Sequence, residues 1–245
     1  MNNFPILEIN VDSRQMKVLF DLGGSDQIVL SKEALKSIDV NYLDEPYVWL
    51  DAMGNRLESE RFTIPEMRIG SMVFHDVSGH VDDEAVTYRK TPAGVGYIGA
   101  ELIQSVKLVI DYGQNVMTLI PGESPSAREQ GCYGTEVPFV AGLEIQPTTN
   151  VSTDLGDLVF VWDTGAPMSI VRSSTAENQK LMDDGLHVDN QQFKLAGEDF
   201  GPQQLRLLDF VEPVEVDGFV GHDFFANHVV CVDFMAQRFL VRSNR

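Results

Sequence analysis

Two short stretches of this 245-residue chain carry residue types able to do chemistry. In "VLFDLGGSDQIVLS", Val18–Ser31, an apolar run delivers Asp21 into a Gly-Gly turn and a second apolar run leaves it. In "FVWDTGAPMSIVRS", Phe160–Ser173, Asp163 stands at the same place, and the two stretches match without a gap. Gly23 falls on Gly165, Ile28 on Ile170, Val29 on Val171 and Ser31 on Ser173; an aromatic residue, Phe20 or Trp162, precedes each aspartate. A lone Asp-x-Gly reads as a turn, because Asp and Gly suit turns for local backbone reasons. A pair of carboxylates does more. Brought close, they cannot both ionise cheaply and share one proton, so one activates a water while the other protonates a carbonyl oxygen.

A second match lies downstream in each half. "YIGAELIQSVKLVIDYGQNVMTLI" from Tyr97 aligns with "FVGHDFFANHVVCVDFMAQRFLVR" from Phe219, setting Gly99 on Gly221, Glu101 on Asp223 and Asp111 on Asp233. Two coincidences in the same order imply two homologous lobes, residues 2–122 and 134–245. The connector 123–133 is rich in Pro, Gly, Ser and charge, as a linker should be.

The elements that must hold these residues are strands. Short apolar runs such as "FPILEINV", "QMKVLFD", "RFTIPEMRIG" and "VKLVIDY" alternate with turn signals, which predicts an all-β fold. "DYGQN" predicts a hairpin turn. "SKEALKSI" predicts a short helix capped by Ser31, with Glu33 and Lys36 on its polar face. "AELIQ" and "HDFFANH" predict one or two helical turns each.

This constellation resembles the aspartic peptidases of the pepsin and retropepsin group. Their hallmark is Asp-Thr-Gly at a strand end, followed later in each lobe by two apolar residues and a glycine. "WDTGA" at Trp162–Ala166 matches the first fully, and "YIG" and "FVG" match the second. Ala166 is nearer the retropepsin form. The resemblance covers nearly the whole chain and implies two retropepsin-like β-barrel lobes related by a pseudo-twofold axis, each giving one catalytic aspartate, Asp21 and Asp163. It implies loops shaped by Gly23, Gly24, Gly165 and Ala166, with Gly99 and Gly221 leaving room for them, and an extended peptide or unfolded protein as substrate. It also implies an acidic working pH, sensitivity to statine-type inhibitors and no cofactor. A monomer is expected, and a bacterial source.

The first copy departs from the pattern. Thr164 can hydrogen-bond the opposite loop as the family's threonine does, whereas Leu22 donates nothing. A net hydrogen bond contributes about 0.5–1.5 kcal/mol and a buried orphan costs about 1–3 kcal/mol. Covalent joining of the lobes makes that loss easier to tolerate. The expectation is an active endopeptidase, weakened at Leu22. The alternative is an impaired relative that binds peptides or a partner protein in its cleft without cutting them.

A covering flap is implied as well. "YVWLDAMGNRLESERFTI" reads as a hairpin whose tip includes Asp51, Ala52, Met53 and Gly54, with Tyr47 and Trp49 as candidate flap aromatics. "FKLAGEDFGPQQLRL" is a shorter counterpart in the second lobe.

Other signals carry less. Acidic residues number 37 against 18 basic ones, a formal net charge of −19, which argues against nucleic acid as partner. "GVGYIG" fits G-x-G-x-x-G but lacks the strand and helix a dinucleotide site needs. The five histidines show no metal-ligand spacing, so no metal is expected. His222 and His228 read as surface or strand-edge residues. Cys132, in a loop, and Cys231, in an apolar strand, read as two separate thiols rather than a disulfide. No run is apolar enough to span a membrane. Lobe one lacks a counterpart of "TEVPF", so localisation stays open, and an exported or periplasmic home fits if a signal lies upstream.

Overall fold

A computed structural model describes residues 4–50, 56–82, 95–140, 146–176, 185–210 and 216–244. The chain is all-β, as the alternating runs predict, and divides into two compact units, Met1–Leu102 and Ile103–Arg245.

The first unit contains β1 (Ile6–Val11), β2 (Arg14–Asp21), β3 (Ile28–Leu30), β4 (Asn41–Leu50), β5 (Arg56–Ile69), β6 (Met72–Val81) and β7 (Gly96–Gly99). They form one sheet in the order β1-β2-β7-β3-β6-β5-β4, and β1 also pairs β5, which closes six strands into a barrel and leaves β4 outside. β2 shows how the sequence places the site. Met16 and Val18 alternate inward against exposed Gln15 and Lys17; then Leu19, Phe20 and Asp21 are all buried as the strand enters the sheet centre. There β2 runs parallel to β7, pairing Phe20 with Ile98 and Asp21 with Gly99. Helix α1 (Lys32–Leu35) forms where expected, with the Ser31 hydroxyl accepting from the Ala34 amide at 3.2 Å and Lys36 paired with Glu33.

The second unit holds two sheets. One has the order β10-β20-β19-β8-β9, from β8 (Val106–Asp111), β9 (Val116–Pro121), β10 (Thr135–Pro138), β19 (His228–Asp233) and β20 (Arg238–Ser243). The other has the order β14-β17-β13-β18-β12-β11-β15-β16. Its strands are β11 (Thr148–Thr153), β12 (Gly156–Trp162), β13 (Ile170–Arg172), β14 (His187–Asn190), β15 (Lys194–Leu195), β16 (Glu198–Asp199), β17 (Gln203–Leu208) and β18 (Gly218–Val220). Helix α2 (His222–Phe225) is the predicted turn of "HDFFANH". "DYGQN" makes the β8–β9 hairpin, with Asn115 at φ 54°. Trp162 anchors the core: it stacks on Phe239 at 4.2 Å, meets Phe224 and Phe225 edge-on, and its indole N–H donates to the Thr149 hydroxyl at 2.9 Å.

The antiparallel register of β8 and β19 pairs Leu108 with Val232, Val109 with Cys231 and Ile110 with Val230. The downstream sequence match sets Val109 on Cys231, Leu108 on Val230 and Ile110 on Val232. The pairing therefore reads the same from either strand, about the Val109–Cys231 pair.

Two sequence expectations fail here. Cys132 and Cys231 form a disulfide, with a Cα–Cα distance of 5.1 Å. The loop carrying Cys132 folds onto the central sheet, where Val109, Ile120 and Val229 bury both residues, so a loop and a strand distant in sequence become neighbours. His228 is not at the surface: it is 6% exposed, stacks on Phe224 at 4.1 Å and places Nδ1 2.9 Å from the Phe224 carbonyl oxygen. The chain turns back sharply after α2, which sets His228, the first residue of β19, onto Phe224 of that helix.

Candidate active site

Asp21 ends β2 and is 3% exposed. Its side-chain Oδ1 accepts the Gly23 amide at 3.1 Å and its carbonyl accepts the Gly24 amide at 3.1 Å. Asp163 follows β12 and repeats the arrangement. Its Oδ1 accepts the Gly165 amide at 2.7 Å and the Ala166 amide at 3.0 Å, and its own amide donates to the Val220 carbonyl at 2.9 Å. These are the bonds of a turn carboxylate. They also fix the orientation of each acid, as acid–base chemistry requires.

The apolar-apolar-Gly strands clasp these turns in the same way in both units. The Ala100 amide donates to the Gly24 carbonyl at 2.8 Å, and the His222 amide donates to the Ala166 carbonyl at 2.9 Å. Here glycine is required by space. A Cβ at Gly99 would stand 2.4 Å from the Asp26 carbonyl oxygen, and one at Gly221 would stand 2.2 Å from the Met168 carbonyl carbon.

The gapless match of the two Asp-x-Gly stretches does not survive in space. β3 meets β7 with Val29 opposite Tyr97, whereas β13 meets β18 with Ile170 opposite Phe219. Ile170 thus stands where Val29 does, and the turn after Asp21 holds one more residue than the turn after Asp163. The Gly24 and Ala166 carbonyls hold equivalent places, so the extra residue lies between Gly24 and Val29.

Leu22 and Thr164, at the middle of the two motifs, are both fully buried. Leu22 is thus a core residue as well as a departure from threonine. The stretch expected to act as a flap forms the β4–β5 hairpin, pairing Tyr47 with Ser59 and Leu50 with Arg56. Its tip, with Asp51, Ala52, Met53 and Gly54, lies outside the described residues, as does the side chain of Trp49.

The sequence reading passed over a further link in each unit. Gln27 Nε2 donates to Glu101 Oε1 at 3.3 Å, and its Oε1 accepts the Ser78 amide at 2.9 Å. In the second unit the Ser169 amide and hydroxyl both donate to Asp223 Oδ1 at 2.8 Å, and Ser169 Oγ accepts the Gly221 amide at 3.1 Å. Burial holds the Asp223 carboxyl above the ordinary carboxylate range, against the lowering effect of these donors. The matched acids Glu101 and Asp223 were the available signal.

Tyr112 packs edge-on against His222 with ring centroids 4.7 Å apart. Burial, and then the charge of Asp163, push its phenol upward. Its hydroxyl and His222 Nδ1 are buried without a hydrogen-bond partner among the described residues. Among the described residues no group of histidine, cysteine and acidic side chains has a metal-holding arrangement. No described helix is long and apolar enough to cross a membrane.

The fold is that of pepsin-like aspartic proteinases. It matches the crystal structure of the aspartic proteinase from Irpex lacteus with a TM-score of 0.66, over 98% of this chain and 94% of that one, at 14% sequence identity. No family model matches the sequence, and no curated protein does.

Proposed function

We propose that the chain is an aspartic endopeptidase in which Asp21 and Asp163 act on one water. One observation carries this reading. Each unit contains an Asp-x-Gly turn whose carboxylate is held by the amides that follow it, and an apolar-apolar-Gly strand clasps that turn through the same amide-to-carbonyl bond. A purely structural use of one such turn gives no reason for its repetition. The β8–β19 register supports descent of the two halves, 2–122 and 134–245, from one retropepsin-like lobe, with 123–133 as the joint.

In the reaction one aspartate is ionised and the other protonated. The ionised carboxylate takes a proton from water as its oxygen adds to the peptide carbonyl carbon. The protonated partner gives its proton to the carbonyl oxygen. The tetrahedral diol then collapses: the C–N bond breaks, the proton taken from water passes to the leaving nitrogen, and one diol hydroxyl returns its proton to the partner carboxylate, which yields the acid product and restores the dyad. Gly23, Gly24, Gly165 and Ala166 shape the turns; Thr164 anchors one and Leu22 packs the other. The β4–β5 hairpin covers an extended peptide or unfolded protein, and the enzyme works as a monomer without a cofactor.

The test is incubation of the purified chain with an unfolded protein over roughly pH 3 to 7, which spans the upper titration step of such a dyad. New peptide termini that vanish with a statine-type inhibitor are expected. Intact substrate at every pH would overturn the proposal.

A further inference from the structure

Asp26 lies in the longer of the two turns, between Asp21 and β3. Its side chain is 12% exposed and that of His80 on β6 is 4% exposed, with Nδ1 3.4 Å from Asp26 Oδ1. The hydroxyl of Tyr97, on β7, donates to Asp26 Oδ2 at 2.8 Å. The side chain of Tyr47, on β4, also hydrogen-bonds the Asp26 carboxylate. Its ring lies flat on His80, with centroids 4.1 Å apart and planes 14° from parallel. One carboxylate therefore gathers groups from three strands into the turn that follows Asp21. The Asp26 backbone cannot shift freely, because it passes over Gly99 with no room for a side chain.

Tyr47 stands at a weak place in β4. The β4–β5 register breaks between Leu43 and Tyr47 and resumes at Tyr47, and among the described residues β4 has a neighbour on one side only. Asp26, Tyr47 and His80 wall a polar cavity of about 130 Å³ together with Arg61 and Glu101. The link thus borders open space.

We propose that Asp26 is a positioning residue: its carboxylate fastens the β4–β5 hairpin to the turn that carries Asp21, so the two move together. The inference rests on the peptidase reading only where it concerns turnover; the link itself is testable without cleavage. Hydrogen exchange is measured on the β4 stretch 47–50 and, as a control, on β1. Asp26→Ala is expected to speed exchange in β4 by about tenfold or more and in β1 by less than about twofold, since local opening is governed by local contacts. Asp26→Asn retains a carbonyl that accepts from both tyrosines and is expected to stay within about threefold of the parent. Tyr47→Phe, which removes one hydroxyl and keeps the stacked ring, is expected to speed β4 by about threefold and serves if the alanine variant does not fold. In an active enzyme, Asp26→Ala raises KM more than it lowers kcat, and Asp26→Asn restores KM. Unchanged β4 exchange in the alanine variant, or in Tyr47→Phe where alanine does not fold, overturns the proposal. A chain that shows the exchange pattern yet cuts no peptide keeps the link and removes only the peptidase reading.

Discussion

Cys132 is bonded to Cys231, which fastens the loop joining the two sequence repeats to the middle strand of the five-stranded sheet. The two residues are 99 positions apart in sequence. Cross-linking a loop of that size removes chain entropy from the unfolded state, by about 4.7 kcal/mol in the simplest model and about 2–5 kcal/mol in practice. Urea unfolding of the parent and of a double Cys→Ala variant is expected to show that difference. Equal stabilities would mean that the bond constrains nothing. Such bonds persist in oxidising compartments, so folded yield should be higher there than in a reducing cytosol.

Gly99 and Gly221 are predicted to tolerate no side chain. Their Cβ atoms would meet backbone, which cannot rotate away as a side chain can. Gly99→Ala and Gly221→Ala should each lose about 3 kcal/mol or more. Gly113→Ala, facing the Asn244 side chain at 3.1 Å, should lose less than about 1 kcal/mol, the scale of a surface change. Thermal unfolding of the three variants ranks them.

Leu22 is predicted to be worth more to the fold as leucine than as the threonine that Thr164 supplies in the second unit. It is fully buried. Leu22→Thr removes apolar volume and inserts a hydroxyl that must find an acceptor, a change expected to cost about 2–4 kcal/mol. An unchanged unfolding midpoint would show that the site accepts a polar group.

Asp21→Asn and Asp163→Asn keep the size of the side chain and its acceptor oxygen for the turn amides. Each should lower kcat by about 10²-fold to 10⁴-fold, the usual contribution of an acid or base, with the near-ultraviolet circular dichroism retained. Full turnover in either variant would remove that aspartate from the mechanism.

The pH dependence of stability should carry a histidine signature. Burial holds the His228 imidazole below its ordinary range, partly offset by the carbonyls of Phe224 and Phe200. The unfolded chain then takes up a proton below about pH 6.5 while the folded chain does not. Stability therefore falls as pH drops through that value toward the folded pKa. His80 is held down by burial too and adds in the same direction. Asp223 has the opposite sign: its folded carboxyl keeps a proton that the unfolded chain has released, so it costs stability as pH rises above about 4. His228→Phe should flatten urea midpoints between about pH 6.5 and 5; an unaltered slope would exonerate this residue.

The fold was legible because its information is local. Period-two burial in β2 and the Ser31 cap act on near neighbours, whereas the glycines at 99 and 221, which pack against Asp26 and Met168 far off in sequence, show only through the repeat. The disulfide was not legible, since two cysteines in unlike settings meet only after the sheet forms. His228 was misplaced because "DFFANH" does not reveal how sharply the chain turns back after α2. The extra residue after Asp21 stayed hidden behind Ile28 and Ile170, whose identical types disguise a shift of one position. Asp26 went unread for a different reason: its tyrosine partners come from strands far along the chain, and only packing brings them to one carboxylate.

The self-matching register of β8 and β19 has a consequence for what a severed half would do. A polypeptide ending near residue 122 would carry a β8 edge whose ideal neighbour is a second β8, Val109 on Val109, and bare edges of this kind recruit copies of themselves. Fusion satisfies that appetite internally: the twin strand is always present at one-to-one stoichiometry, whatever the dilution.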